Sequence, residues 1–239
     1  MAAVTTALVD PLHTPETPER LLDAAERLFA ERGVDAVSVR AVNAAAGANV
    51  AAVHYHFGSK EALVEAVLRR RMDALGERRR AMLAALPTAD APAVRAVMEA
   101  LVLPLAELSA EPTGSGRAYV RVLAALQGGG ADTRTLLGTA FTPQFAPFDA
   151  ALARALPDLA EPLRHFRLAL VGTLVVQTLA DPEGAAHTLG LTDEPADLDP
   201  ADHAAVVDAL LDSVTGALAA PVTTTSHSGP PAIPEGTRP

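Results

Sequence analysis

Apolar positions recur along this chain at helical spacing, not at strand spacing. Leu21, Leu22, Ala25, Leu28 and Phe29 make one stripe, Thr17 and Pro18 ahead of it supply a cap and a first-turn proline, and Gly33 stands where a left-handed end belongs. Ser38 can cap a short second helix that carries Val39, Val42 and Ala45 inward and stops at Gly47. Asn49 can cap a third, "VAAVHYHF", after a connection of about three residues. Two short helices joined by a tight glycine turn and buttressed by a longer helix form a helix-turn-helix pattern. Ser59 caps a fourth helix, predicted to reach about Leu86. Beyond it prolines and glycines mark off helical segments near 92–109 with a kink at Pro104, 116–127, 131–156 interrupted at Pro143 and Pro147, 160–180, 183–189 and 200–220. Runs of β-branched residues and hairpin dipeptides such as Asn-Gly are missing, so the predicted fold class is all-α.

Composition bounds this picture. The 239 residues suffice for one or two domains, and 49% hydrophobic with 20% charged residues reads as globular. No apolar run approaches the roughly 18 to 20 residues of a membrane span, and the N-terminus lacks the pattern of a signal peptide, so a cytoplasmic protein is expected. Residues 1–16 read as a flexible leader and the proline-rich stretch 221–239 as a disordered tail. Zero cysteines exclude disulfides, thiolate metal sites and thiol nucleophiles. The net charge of −10 argues against a nucleic-acid partner until it is divided: Thr17 to Met82 holds 11 basic and 9 acidic residues, whereas Leu83 to Pro239 holds 8 and 18. The positive excess therefore sits in the first third.

That third also holds the densest chemistry. "HYHF", His54 to Phe57, concentrates aromatic and imidazole rings in a chain that is 3% aromatic, and Lys60, the one lysine, follows three residues later. On a helical wheel Val53 and Phe57 fall within about 40° and define the inward face. Ala51, Ala52 and Tyr55 then point outward, with His54 and His56 on the flanks. Small alanines admit a backbone into a major groove, while Tyr and His can donate to phosphates or base edges. Lys60 adds a point charge beside exposed helix N-terminal amides. Spacing alone equally admits packing of Tyr55 and the histidines beneath the second half.

"TPERLLDAAERLFAERGVDAVSVRAVNAAAGANVAAVHYHFGSKEALVEAVL", Thr17 to Leu68, resembles the N-terminal DNA-binding domain of the TetR (tetracycline-repressor) family of bacterial transcription regulators. The resemblance rests on "LFAERG", the "AAG" turn and the "YHFGSKEAL" block. It implies a helix-turn-helix head over 17–60, a helical ligand-binding and dimerisation domain over 61–220, and a homodimer on a palindromic double-stranded operator. It places phosphate contacts on Ser38, Tyr55, His56 and Lys60, a phosphate or base contact on Arg40, and the recognition segment on Asn49, Val50, Ala51, Ala52 and His54. Val50 and His54 depart from the family's commoner residues, which shifts base readout toward His54, Arg40 and apolar contact.

The second half carries no sharp motif. Its layout is similar to TetR regulators that respond to fatty acids or other lipophilic molecules. Phe141, Phe145 and Phe148, with Met98, Leu101, Leu105 and Tyr119, could line an apolar cavity, and Arg121, Gln144 and His165 are candidate polar anchors. A packed core with ion-pairing arginines is the alternative. Phe166, Leu170 and Leu174 on one segment and Val207, Leu210, Leu211 and Val214 on another form wide stripes, with Gly172, Thr173 and Gln177 permitting close approach. The resemblance places the dimer bundle on these segments; burial within one subunit would give similar stripes.

The leading expectation is thus a repressor released from DNA by a small, lipophilic inducer. A regulator that answers to a protein partner or to no ligand is the alternative, and a cavity against a solid core discriminates the two. An enzyme has little support. His54 and His56 lie two apart and cannot face one metal, the histidines at 13, 165, 187, 203 and 227 form no motif, and no cofactor or metal is expected.

Overall fold

The computed structural model describes residues 16–192 and 198–222, with backbone but not side chains for 131–134, 136–137 and 139–143. The expected leader and most of the expected tail lie outside the described residues. The described residues form ten helices and no strand: α1 (Thr17–Arg32), α2 (Val39–Ala45), α3 (Ala52–Phe57), α4 (Lys60–Ala84), α5 (Val94–Ser109), α6 (Ser115–Gly128), α7 (Ala131–Ala155), α8 (Glu161–Ala180), α9 (Pro182–Thr188) and α10 (Pro200–Ala219).

Local chemistry accounts for most of the boundaries. The Ser38 hydroxyl accepts from the Ala41 amide at 3.2 Å and opens α2, and the Ser59 hydroxyl accepts from Ala62 at 3.1 Å and opens α4. Asp199 accepts from both Ala201 and Asp202 at 2.8 Å at the head of α10. Gly47 (φ +60°) and Gly58 (φ +82°) hold left-handed turns on either side of α3, a conformation that a side chain disfavours. Three expectations shift. Thr17 lies inside α1, whose cap position is Glu16 and carries no side-chain cap bond. Asn49 stands before a helix that begins at Ala52, its Oδ1 instead accepting from the Ala51 amide at 3.1 Å. Pro143 and Pro147 do not interrupt α7, which is helical throughout its 25 residues; each proline removes one hydrogen bond, and the bonds on either side carry the helix past it.

One continuous core runs the length of the molecule. In the head, Leu21, Ala25, Leu28, Phe29, Val42, Val53, Leu63 and Val67 are buried; in the body, Met98, Leu105, Tyr119, Leu126, Leu152 and Leu179 are. Ala45, expected inward, is exposed, and Asn43 takes the buried place beside Val42. Helix α1 packs along α6, and α10 packs on α5 and α8. The expected boundary between residues 60 and 61 falls one residue inside α4, which passes from head to body without a break. Near that junction α6 comes so close to α5 that a Cβ on Gly116 would stand 1.8 Å from the Leu108 carbonyl oxygen. No helix among the described residues is long and apolar enough to cross a membrane.

Candidate nucleic-acid interface and apolar cavity

The outward surface of the α2–turn–α3 unit is made by the residues that the core leaves over. Val53 is fully buried and Phe57 packs half-buried on the core, which turns Tyr55 to solvent at 84% exposure. Val50 is 63% exposed, and Ser38, Arg40, Asn49, Ala51, His54 and His56 are exposed beside it. The Tyr55 and His56 rings meet edge to face at 4.9 Å, and His54 Nδ1 lies 3.1 Å from the Gly58 carbonyl oxygen. Lys60 reaches the Asp35 carbonyl oxygen at 3.5 Å, at the edge of hydrogen bonding. Packing of Tyr55 and the histidines beneath the body is thereby excluded for this chain. Ala52 does not join the surface: it is 8% exposed, because the first turn of this short helix seats its methyl group in the core with Val53.

What holds α3 at this angle is a residue not singled out in the sequence. Asn43 on α2 is buried; its Nδ2 donates to the Val50 carbonyl at 2.6 Å and its Oδ1 accepts from the Val53 amide at 3.1 Å. The turn and the first turn of α3 leave these two backbone groups without helical partners, and one amide side chain satisfies both. The available signal was an Asn next to Val42 on the inward face of a helix.

The head meets the body through a charged joint. Glu26 on α1 is buried, with Arg71 Nε at 3.9 Å and Arg70 Nη1 at 3.8 Å; Arg71 continues to Ser115 Oγ at 2.7 Å and Glu111 Oε2 at 3.3 Å, and Arg70 donates to Asp23 at 2.5 Å. Burial pushes the Glu26 carboxyl above its ordinary range, against the pull of Arg71 and Arg70.

In the body, helices α4 to α8 line a half-open cavity of about 720 Å³. Its walls are mostly apolar, with Leu75, Leu101, Leu105, Leu123, Phe145 and Val176 among them. A second cavity of about 150 Å³ adjoins Gln144 and Phe148, and Arg79 on α4 borders both. Of the residues expected to line a cavity, Leu101, Leu105, Phe145 and His165 line the larger and Gln144 and Phe148 the smaller. Met98 and Tyr119 are packed in the core instead, the Tyr119 hydroxyl donating to the Leu68 carbonyl at 3.3 Å. Arg121 is exposed and donates from Nε to the Ala180 carbonyl at 3.2 Å. The Phe141 side chain lies outside the described residues. Arg79 was missed because it sits in "ERRR", where a charge run reads as a solvated face.

On the cavity wall Asp149 accepts from Arg164 through both oxygens, Nε to Oδ1 at 2.6 Å and Nη2 to Oδ2 at 3.1 Å, with His165 Nε2 at 3.2 Å. These hydrogen bonds, that from Arg164 foremost, hold the Asp149 carboxyl below its usual range and raise Arg164. Among the described residues no group of His, Cys, Asp and Glu could hold a metal ion.

The two stripes expected at a subunit interface part company. Phe166, Leu170 and Leu174 on α8 are exposed, and Thr173 lies exposed among them. Val207, Leu210, Leu211 and Val214 on α10 are buried, because α10 turns its apolar side onto α5 and α8. Gly172 faces the Phe145 ring of its own subunit, and Gln177 Nε2 donates to the Ala124 carbonyl and Gln127 Oε1, each at 3.3 Å.

Comparison with known proteins finds two family matches. Residues 21–67 match the model of bacterial regulatory proteins of the tetR family, and residues 99–219 match that of a tetracyclin repressor-like C-terminal domain. The chain is 42% identical over 83 residues to the HTH-type transcriptional repressor KstR2 of Rhodococcus jostii, a match spanning 34% of this chain and 38% of that protein. The fold is similar to that of the regulator FadR of Bacillus subtilis, solved with stearoyl-CoA, at a TM-score of 0.59 and 14% identity over 83% of this chain and 98% of that one. It is also similar to AibR, solved with isovaleryl coenzyme A and operator DNA, at a TM-score of 0.54 and 16% identity over 85% and 98% of the two chains.

Proposed function

The chain belongs to the TetR family of bacterial regulatory proteins, which are not enzymes, and on that premise we propose that it is a ligand-responsive repressor that binds a palindromic operator as a homodimer in the cytoplasm. The observation that carries the reading is the course of α4. Ser59 and Lys60 start it at the candidate DNA face, and Leu75 and Arg79, fifteen to nineteen residues on, line the cavity. At 1.5 Å per residue that is about 22 to 28 Å of unbroken helix. An occupant that displaces the cavity end of α4 tilts the head attached to the other end, and two heads moved from the ~34 to 36 Å spacing of successive major grooves lose one half-site.

In this reading residues 17–60 are the DNA-binding head and 61–220 the ligand-binding and dimerisation body. Ser38, Tyr55, His56 and Lys60 meet phosphates, while Arg40, Asn49, Val50, Ala51 and His54 face the bases. The exposed stripe of α8, Phe166, Leu170, Thr173 and Leu174, contributes the dimer contact, with α10 supporting it from within. The apolar walls favour a lipophilic inducer, in keeping with the acyl-CoA molecules bound by FadR and AibR. The existence of the cavity favours this reading over a regulator without a ligand. The test is selection of bound DNA from a random pool, followed by a mobility-shift titration with and without candidate lipophilic ligands. A palindromic site released by a ligand is the expected result. Binding to a palindrome that no cavity-filling ligand weakens would leave a DNA-binding protein but remove the inducer.

A further inference from the structure

Arg79 is the feature that the fold does not account for. Its side chain is 7% exposed and borders both cavities, and Nη2 donates to the Leu101 carbonyl at 2.9 Å. Nε is buried with no hydrogen-bond partner, and no Asp or Glu pairs with the guanidinium among the described residues. Burial lowers it to about 10, which leaves it protonated at neutral pH. An uncompensated buried charge is costly, and a residue that only tied α4 to α5 would not need one.

Among the described residues the other charges around the cavities are spoken for or set apart. Asp149 is held through both oxygens by Arg164 and touched by His165. Asp73 and Arg80 lie on the rim of the smaller cavity, where Arg80 Nε donates to the Gly76 carbonyl at 3.2 Å. Among the described residues the cavities therefore border one net positive buried group, beside mostly apolar walls. Gln144, whose buried Oε1 also lacks a partner, borders the smaller cavity with it.

We propose that the molecule recognised by this cavity is an amphipathic carboxylate, its apolar body lying along Leu101, Leu105 and Phe145 and its carboxylate paired with Arg79. The inference rests on the ligand-responsive reading above and names its ligand class. A carboxylate supplies the counter-charge that the buried guanidinium lacks, and the planar fork of Arg suits it. Because α4 carries Arg79, the same pairing pulls on the helix that reaches the head.

The experiment measures binding of the full chain to three matched series with octyl, dodecyl and hexadecyl chains: fatty acid, primary alcohol and alkyl phosphate. Parent, Arg79→Met and Arg79→Lys are compared by calorimetry and thermal shift, with helical circular dichroism and the cooperativity of unfolding in the absence of ligand as the control for folding. The parent is expected to bind the acid roughly tenfold or more tightly than the alcohol of equal length. Arg79→Met should abolish that preference while keeping alcohol binding, and Arg79→Lys should restore part of it. An alcohol bound as well as the acid, or a preference that survives in Arg79→Met, overturns the proposal and leaves the lipophilic cavity standing. A stronger preference for the phosphate overturns the carboxylate. If no member of any series binds the parent, both this proposal and a lipophilic inducer fall. Should Arg79→Met not fold, the parent's preference between acid and alcohol and its partial loss in Arg79→Lys still decide.

Discussion

Asn43 closes the turn between α2 and α3 by donating to the Val50 carbonyl at 2.6 Å while accepting from the Val53 amide at 3.1 Å. Val50 is on the proposed DNA surface and Val53 is its anchor in the core, so one buried amide fixes the outward face to the inward one. Asn43→Ala leaves both backbone groups unpaired and should cost roughly 2 to 3 kcal/mol, read from urea midpoints. Asn43→Asp keeps the acceptor but turns a second one on the Val50 carbonyl, and should cost at least as much. Operator affinity should fall in both variants at temperatures where they remain folded. An Asn43→Ala variant with parental stability would show that the backbone holds the turn unaided.

Tyr55 and Lys60 are expected to act on DNA through different terms. Lys60→Ala removes one positive charge facing the phosphates and should reduce the magnitude of the slope of log affinity against log salt by about 1, for all sequences alike. Tyr55→Phe keeps the ring that meets His56 and removes the hydroxyl alone, so its loss should be nearly independent of salt. Mobility-shift titrations at three salt concentrations separate the two. Equal slopes for Lys60→Ala and parent would take Lys60 off the phosphate backbone.

The stripes on α8 and α10 look alike in sequence, and burial distinguishes them. Leu170→Glu on the exposed α8 face should convert the proposed dimer to a folded monomer in sedimentation, with little loss of monomer stability. Leu211→Ala, in the core, should destabilise by about 2 to 4 kcal/mol through the cavity it leaves. A dimer that survives Leu170→Glu would place the interface elsewhere.

How much of this was legible in the sequence follows a physical line. Helices with a long amphipathic stripe or an oxygen-bearing cap, such as α1 and α4, were readable because the signal is local. The outward turn of Tyr55 was readable from the positions of Val53 and Phe57. Ala52 is misplaced, and Tyr119 and the α10 stripe are open in the sequence between core and cavity or interface, since a residue suited to a surface or a cavity is equally suited to a core and only the neighbouring helix decides. Arg79 and Asn43 were overlooked for the converse reason. Composition assigns polar groups to solvent, and their value here comes from being the few that are not.

Asp149 and Arg164 tie α7 to α8 beside the cavity, and their pair should show in acid. The Asp149 carboxyl lies below its ordinary value, so its contribution is complete above about pH 4, the unfolded value, and is lost as pH falls through the lower folded one. Asp149→Asn should cost about 1 to 3 kcal/mol at neutral pH and little at the acid end of that window. Chemical denaturation of parent and variant at pH 7 and pH 3 checks this. A cost unchanged at pH 3 would assign the effect to packing and not to charge.

Glu26 should behave in the opposite sense. Burial lifts its carboxyl above the unfolded value of about 4.3, so between that value and the folded one the native chain holds more protons than the unfolded chain. Stability contributed by this group is therefore greatest in acid and declines as pH rises through the window. Arg71 Nε, at 3.9 Å, is too distant to offset the burial with a hydrogen bond, and Arg71 keeps Ser115 and Glu111 as partners when the charge is removed. Glu26→Gln should then gain stability relative to the parent as pH rises from about 4 to 7, because the variant does not carry the cost of a buried carboxylate. Urea midpoints taken across that range report the difference directly, since groups common to both chains cancel. A variant that loses ground with rising pH would mean that attraction to Arg70 and Arg71 outweighs the burial, and that the joint between head and body is held by its charges.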